Sequence, residues 1–245
     1  MLIVYKKLGE TPLQAIDRVR QENHSILDAK ITYAGRLDPM AEGLLVLLVG
    51  DEVHKKDKFL SLNKTYEVEV LFGFSTDTYD ILGLVKENKE LNFENFKLEI
   101  ENFLRKLPRK FSQAYPPFSL KTIGRKQMFV LAKSGELEDK EIPTKQVEIF
   151  STELLDIKTI SKLDLEKIIF ERIALVSGDF RQEEIKKAWR DSFNRAESVF
   201  SVAKIKIKAS SGFYARSFAN SMGVDLNIPA LALSILRTQI GKFKI

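Results

Sequence analysis

The chain has 245 residues, 44% of them hydrophobic, which is enough to bury a substantial core as one large domain or two closely joined halves. Its 39 Lys and Arg against 34 Asp and Glu leave a formal charge of +5, which tilts the partner towards polyanions without deciding it. With no Cys and two His, disulfides and thiolate or His-rich metal sites are excluded, and only a carboxylate-bound Mg²⁺ remains open.

The N-terminal apolar run is too short for a signal peptide, and the longest unbroken apolar stretch, residues 44–49, is far below a membrane span. A cytoplasmic location with no membrane partner is the expectation. LIVYK opens as a short strand, and Thr11-Pro12 supplies an N-cap followed by proline, with Leu13, Ile16 and Val19 along one helix face. LLVLLVG is a buried strand by composition, and Asp51 is placed to cap a helix carrying Val53, Phe59 and Leu60. TYEVEVLFG alternates Tyr66, Val68 and Val70 with Glu67 and Glu69, a strand with one wetter face.

A helix is predicted over residues 92–107. PPFSLKTIGRKQMF then reads as a basic, Pro/Gly-punctuated loop running into a short helix, and a strand-rich stretch is predicted from about 146 to 176. Asp179 and Gln182 have the spacing of a capping box opening the helix that carries Trp189. AKIKIKAS alternates Lys204, Lys206 and Lys208 with Ile205 and Ile207, a strand with one cationic face. SSGFYARSFANSMG is a turn into a helix, and LRTQIGKFKI closes as another strand. Strands and helices mix irregularly, so the predicted fold is α+β, with a mixed, mostly antiparallel central sheet flanked by helices.

Asp38 stands out in AGRLDPMAEGLL. Asp followed by Pro39 is a common turn or helix start, and that reading serves for most such pairs. Gly35 and Gly43, however, permit close backbone approach, and an almost wholly apolar strand follows, placing the carboxylate at the mouth of a packed core. Such a position suits a nucleophile or general base. Arg216, in the turn-to-helix segment SSGFYARS, is either a solvated cation or a counter-ion; a bidentate pair with Asp38 would orient the carboxylate. Tyr66 is a core aromatic by periodicity, the better reading from the pattern alone, though its ring would also suit a flipped base.

Asp77 and Asp80 in STDTYDILG lack calcium-loop spacing and read as hydrogen-bonding turn residues. Either could be nominated as the second carboxylate of a glycoside hydrolase. The clusters KLPRK, LKTIGRK and KIKIK, with Tyr115, Phe118 and Phe129 interleaved, can be solvated faces or can track phosphates and stack bases.

In this order the segments resemble the TruB-type tRNA pseudouridine synthases. YAGRLDPMAEGLL is similar to the family's H-x-G-x-L-D-P-x-A-x-G-x-L, NKTY to K-x-Y, and GFSTDTYDILG to G-x-x-T-D-T-x-D-x-x-G. QAYPPFSLKTIGRKQMF, SSGFYAR and the closing LRTQIGKF continue the series. The likeness implies isomerisation of uridine to pseudouridine in the T loop of tRNA, at position 55 of conventional tRNA numbering, with no cofactor, no metal and no protein partner.

Residue by residue, the resemblance makes Asp38 the catalytic aspartate, Tyr66 the tyrosine that stacks on the target base, and Arg216 the arginine that pairs with the aspartate. It implies substrate contacts from Tyr33, Lys64, Tyr214, Lys121 and Arg125, and a flap or thumb-like insertion over about 111–142 within a single catalytic domain spanning 1–245. Tyr33 departs from the family's His, and Phe118 and Phe129 stand near positions where Tyr is usual. The small RNA-binding domain that many bacterial members append at the C-terminus is not expected. A synthase acting on ribosomal RNA or another tRNA position, and a non-catalytic tRNA-binding protein, are the alternatives.

Overall fold

A computed structural model describes residues 1–89, 95–196 and 198–245. Strand β1 (Leu2–Lys6) leads into helix α1 (Pro12–Glu22). There the Gln14 N–H donates to Thr11 Oγ1 at 3.2 Å and the Thr11 N–H to Gln14 Oε1 at 2.7 Å, a reciprocal cap. Ala15, Ile16 and Val19 form the buried face, whereas Leu13 is 63% exposed because it falls one turn position off that stripe. After β2 (Ile31–Ala34) and β3 (Ala41–Val49), the chain makes a 3₁₀ turn over Gly50–Lys55 and the short helix α2 (Lys56–Leu60). Asp51 lies inside the first turn and caps nothing, because the strand runs to Val49 and Gly50 makes the turn.

Strand β4 (Lys64–Phe72) buries Tyr66, Val68 and Val70 as its alternation requires. The hairpin β5 (Phe74–Thr76) and β6 (Val85–Asn88) follows, then α3 (Phe96–Lys106); residues 92–94 of the predicted helix lie outside the described residues. Strand β7 (Lys110–Ala114) opens the basic segment, which continues as the small hairpin β8 (Thr122–Ile123) and β9 (Lys126–Gln127) and helix α4 (Met128–Lys133). Met128, Leu131 and Leu137 give residues 115–142 a small core of their own, while β7 joins the main sheet.

The predicted strands between 146 and 176 are instead one long strand, β10 (Thr144–Ser161), and a helix, α5 (Lys162–Ala174). Ser161 caps that helix, and Leu165, Ile169 and Ile173, four apart, are its buried stripe, a spacing that strand propensity obscured. Helix α6 (Gln182–Phe193) begins at Arg181, which sits in the left-handed region at φ 62°. Asp179 does not cap it: its carboxylate pairs with Lys133 at 2.8 Å, and Gln182 turns back to donate to the Val176 and Gly178 carbonyls. Strand β11 (Val199–Ala209), helix α7 (Ala215–Asp225), strand β12 (Ala230–Ile240) and the short β13 (Phe243–Lys244) complete the chain.

Among the described residues the principal sheet has nine strands, in the order β1-β3-β12-β4-β11-β10-β7, with β2 beside β3 and β13 beside β12. Only β3 and β12 run parallel among the named pairs, so the sheet is mostly antiparallel as expected. On one face Val68, Val70, Ile205 and Ile207 pack against α3 and α7. On the other, Leu71, Val202 and Leu231 meet α5 and α6, where Trp189 stacks near Phe74 at 5.1 Å. The cationic stripe of β11 also lies on that second face: Lys204 pairs with Glu67 at 2.7 Å, and Lys206 lies in register with Glu67. A cross-strand carboxylate therefore answers Lys204.

Candidate active site

The strand β3 changes neighbour part-way along. Its C-terminal half, Val46–Val49, pairs with β2, and its N-terminal residues Ala41–Gly43 pair with β12 on the same edge. Residues 35–40 form the loop from β2 into β3, and Asp38 is on it. The changeover leaves carbonyls without strand partners. Arg237 of β12 supplies the missing donors: Nε to the Leu44 carbonyl at 2.8 Å, Nη1 to Arg36 at 3.1 Å and Nη2 to Gly35 at 3.0 Å. Gly43, at φ 108°, is required where β3 meets β12, since a Cβ there would run into the Arg237 backbone.

Arg216, in the first turn of α7, reaches Asp38 from another direction. Its Nε donates to Asp38 Oδ2 at 2.8 Å. The pair is not bidentate, because Nη1 donates to the Thr78 carbonyl at 2.7 Å and Nη2 to the Phe118 carbonyl at 3.2 Å. Asp80 Oδ2 lies 3.6 Å from the same Nε. Burial pulls the Arg216 pKa down, but Asp38 and Asp80 outweigh it and the net displacement is upward, so the guanidinium stays charged. Burial pushes Asp80 up to about 6 against the opposing pull of Arg216.

STDTYDILG proves to be the turn that presents these groups. Thr78 Oγ1 donates to Asp80 Oδ1 at 2.8 Å, the Leu82 N–H donates to the same oxygen at 2.9 Å, and Asp77 is held by Arg181 at 2.8 Å. Neither acid faces Asp38 as a free second carboxylate. Gln113 of β7, which the sequence reading passed over, anchors the start of α7. It accepts from the Tyr214 N–H at 2.8 Å and donates to the Tyr214 carbonyl at 3.0 Å, supplying a cap that no neighbouring side chain provides.

Asp38, Arg216, Tyr66, Lys64 and Tyr214 share a cleft of about 300 Å³ with Arg36, Lys145 and Arg237. Its apolar walls are Leu37, Ala41, Leu60, Phe213 and Ile235, not the LLVLLV run, whose side chains serve the clusters under α1 and α2. Tyr66 is buried, with its ring 6.0 Å from that of Phe213; burial first, then the Asp38 charge, raises its hydroxyl pKa against the pull of Arg237. Lys64 donates to the Leu60 carbonyl at 2.6 Å, and burial brings its pKa down to about 8, helped by Arg237 and Lys145. Tyr214 is pushed up to about 12, chiefly by burial, and its ring meets Tyr115 edge-on at 5.3 Å.

Three expected contacts lie elsewhere. Tyr33 packs with the cluster under α1, with the Lys56 ammonium 5.5 Å over its ring. Lys121 sits over the Tyr115 ring, and Arg125 is exposed on the hairpin. A second cavity of about 310 Å³, lined by Phe118, Phe129, Phe180 and Arg181, meets the first at Asp38, Arg216 and Tyr214. Among the described residues no group of three or more His, Asp or Glu is arranged to hold a metal ion, and no helix is long and apolar enough to cross a membrane.

Comparison with known proteins finds relatives along the whole chain. The most similar relatives include tRNA pseudouridine synthase B of Ureaplasma urealyticum, 29% identical over 247 residues that cover 100% of this chain and 87% of that protein. The same-named protein of Bacillus cytotoxicus is 26% identical, covering 100% and 67%. Among solved structures, the chain resembles one from a Cbf5-Nop10-Gar1 complex at a TM-score of 0.55 and 14% identity, covering 99% of this chain and 49% of that one. A chain from an H/ACA RNP bound to a substrate RNA containing 2'-deoxyuridine gives 0.54 and 13%, covering 99% and 48%. The chain thus spans about half the length of those solved chains, and the likeness is one of fold. The family model described as TruB family pseudouridylate synthase (N terminal domain) matches residues 23–170, more than half of the sequence. The chain belongs to the TruB family of pseudouridylate synthases and is an isomerase of that class.

Proposed function

We propose that the protein converts uridine to pseudouridine in tRNA, at position 55 of the T loop. The observation that carries this reading is the Arg216–Asp38 pair at 2.8 Å in a cleft whose wall includes the Tyr66 ring. The reaction breaks the glycosidic C–N bond, turns the free uracil, and joins its C5 to the same sugar carbon. Atoms and electrons balance within one nucleotide, so the chemistry needs no redox partner and no cofactor.

The target must first leave its stack, at a cost of a few kcal/mol, which stacking on Tyr66 and phosphate contacts offset. Asp38 then acts on the ribose, either by attacking the anomeric carbon as the base departs or by taking a ribose proton. Arg216 fixes the carboxylate for either route, because its other two donors are committed to backbone carbonyls. Leu37, Phe213 and Ile235 keep water from the sugar while the base turns.

The test is site-resolved mapping of pseudouridine after incubation with an unmodified tRNA transcript. Product confined to the T loop supports the assignment, and product elsewhere or in ribosomal RNA alone overturns it. Asp38→Asn removes the reacting carboxylate and abolishes product while tRNA affinity stays within a few-fold; turnover in that variant would refute the role given to Asp38.

A further inference from the structure

The cleft is lined by five cationic side chains, Arg36, Lys64, Lys145, Arg216 and Arg237, against the single carboxylate of Asp38. Three are already committed: Arg216 to Asp38, Arg237 to the carbonyls of the catalytic loop, and Lys64 to the Leu60 carbonyl. Lys145, near the start of β10, is not. Its side chain makes no hydrogen bond or ion pair among the described residues, and although the residue is exposed, that side chain lies along the cleft wall instead of pointing away from the protein. It folds over the turn at Gly212, so closely that a Cβ at that position would collide with Nζ and Cε. Gly212 adopts φ 87°, a conformation that favours glycine, and the end of the lysine side chain lies in the space that a larger residue there would take.

We propose that Lys145, backed by Lys64, is a phosphodiester-binding subsite on the lip of the cleft, holding a phosphate next to the target nucleotide. The inference rests on the tRNA reading above. An unpartnered ammonium beside another cation is a mutual repulsion that the fold maintains, and an anion between them relieves it. The depressed pKa of Lys64, to which Lys145 contributes after burial and Arg237, shows that the two charges are within electrostatic reach. A nucleotide whose base enters this cleft carries a phosphate on each side, and one of them is the anion of the right charge in the right place.

The experiment uses the full chain and a T-arm hairpin RNA, with and without a single uncharged methylphosphonate at each phosphate flanking the target. Lys145→Gln is expected to raise Kd and KM several-fold with kcat unchanged, and to lower the slope of log K against log salt by about 0.7, the share of one single-strand phosphate. Lys145→Arg restores both, and Lys206→Gln, on the opposite sheet face, changes neither. One of the two methylphosphonates weakens the wild-type protein several-fold and adds nothing in Lys145→Gln. The proposal is overturned if Lys145→Gln keeps the wild-type slope and KM, or if both methylphosphonates weaken it as much as the wild type. A wild-type protein that forms no pseudouridine in the hairpin defeats the substrate reading instead, while the binding arms still decide the role of Lys145.

Discussion

Asp80→Asn removes a carboxylate that the fold holds against its preferred ionisation. Asp80 is 4% exposed, and burial carries its pKa from 3.8 to about 6 despite Arg216 at 3.6 Å. Between those values the folded chain binds the proton more tightly than the unfolded chain, so the stability this group contributes is fully present below pH 3.8. It is lost as pH rises through about 6 and is level above that. At ~1.4 kcal/mol per pH unit the window corresponds to about 3 kcal/mol. Asparagine keeps an oxygen to accept from Thr78 and Leu82, so the turn itself survives. Urea unfolding followed by the fluorescence of Trp189, the only tryptophan and fully buried, reads the effect directly. The wild-type minus variant stability should fall by about 2 kcal/mol from pH 4 to pH 7, the rest of the window lying below pH 4. A difference that is flat or rises over that range refutes the burial argument. At pH 8 the variant should be no less stable than the wild type yet slower, since Arg216 then has one carboxylate holding it instead of two.

Arg216→Lys keeps the charge but cannot serve Asp38, Thr78 and Phe118 together, so two buried carbonyls lose their donors; the expected loss is about 2–4 kcal/mol in urea unfolding, with pseudouridine formation falling in parallel. Gln113→Ala leaves the Tyr214 N–H without its acceptor and its carbonyl with only the Phe218 N–H, costing about 1–2 kcal/mol and speeding hydrogen exchange at the Tyr214 amide, whereas an unchanged exchange rate would remove Gln113 from the anchor of α7. Gly43→Ala drives a Cβ into the Arg237 backbone at a φ that alanine disfavours, and should lower stability by about 3–5 kcal/mol or prevent folding, read as the yield of soluble, cooperatively unfolding protein.

Local signals carried as far as local physics reaches. The alternation of β4 and β11 was legible because over residues 66–70 and 204–208 one face is buried and the other is wetter. The proline-led start of α1 was legible for a similar reason: the cap is made within four residues. What could not be read were features decided by distant partners. Residues 162–174 carry enough Leu, Ile and Phe to pass for strand, and become helix because their four-residue stripe meets α6 and the sheet. Asp179 and Gln182 have capping-box spacing, but Lys133, 46 residues away, takes the carboxylate. In the site, Asp38 and Arg216 stood out from their surroundings, whereas Tyr66 fitted its strand as a core aromatic and was singled out by the family motif. Gln113 and Arg237 were not, since a Gln in a strand and an Arg near a chain end have nothing unusual about them until the backbone groups they serve are in view.

Arg237 and Arg216 explain why the loop that carries Asp38 can be short and still held in place. A loop that joins β2 to β3 while β3 changes neighbour has exposed carbonyls by construction, and a buried carbonyl without a donor is costly. Arg237 supplies three donors to that loop and its strand from below, and Arg216 supplies one to Asp38 itself from α7. Lysine at 237 has three donors too, but they radiate from one nitrogen and cannot span carbonyls of residues 35, 36 and 44, whereas the planar fork does so without strain. Arg216 extends the same arrangement outwards, to the 76–80 turn through Thr78 and to the 115–142 segment through Phe118. The carboxylate is therefore held by a guanidinium that is itself tied to the 76–80 turn and the 115–142 segment, so a shift of either is felt at Asp38 through Arg216.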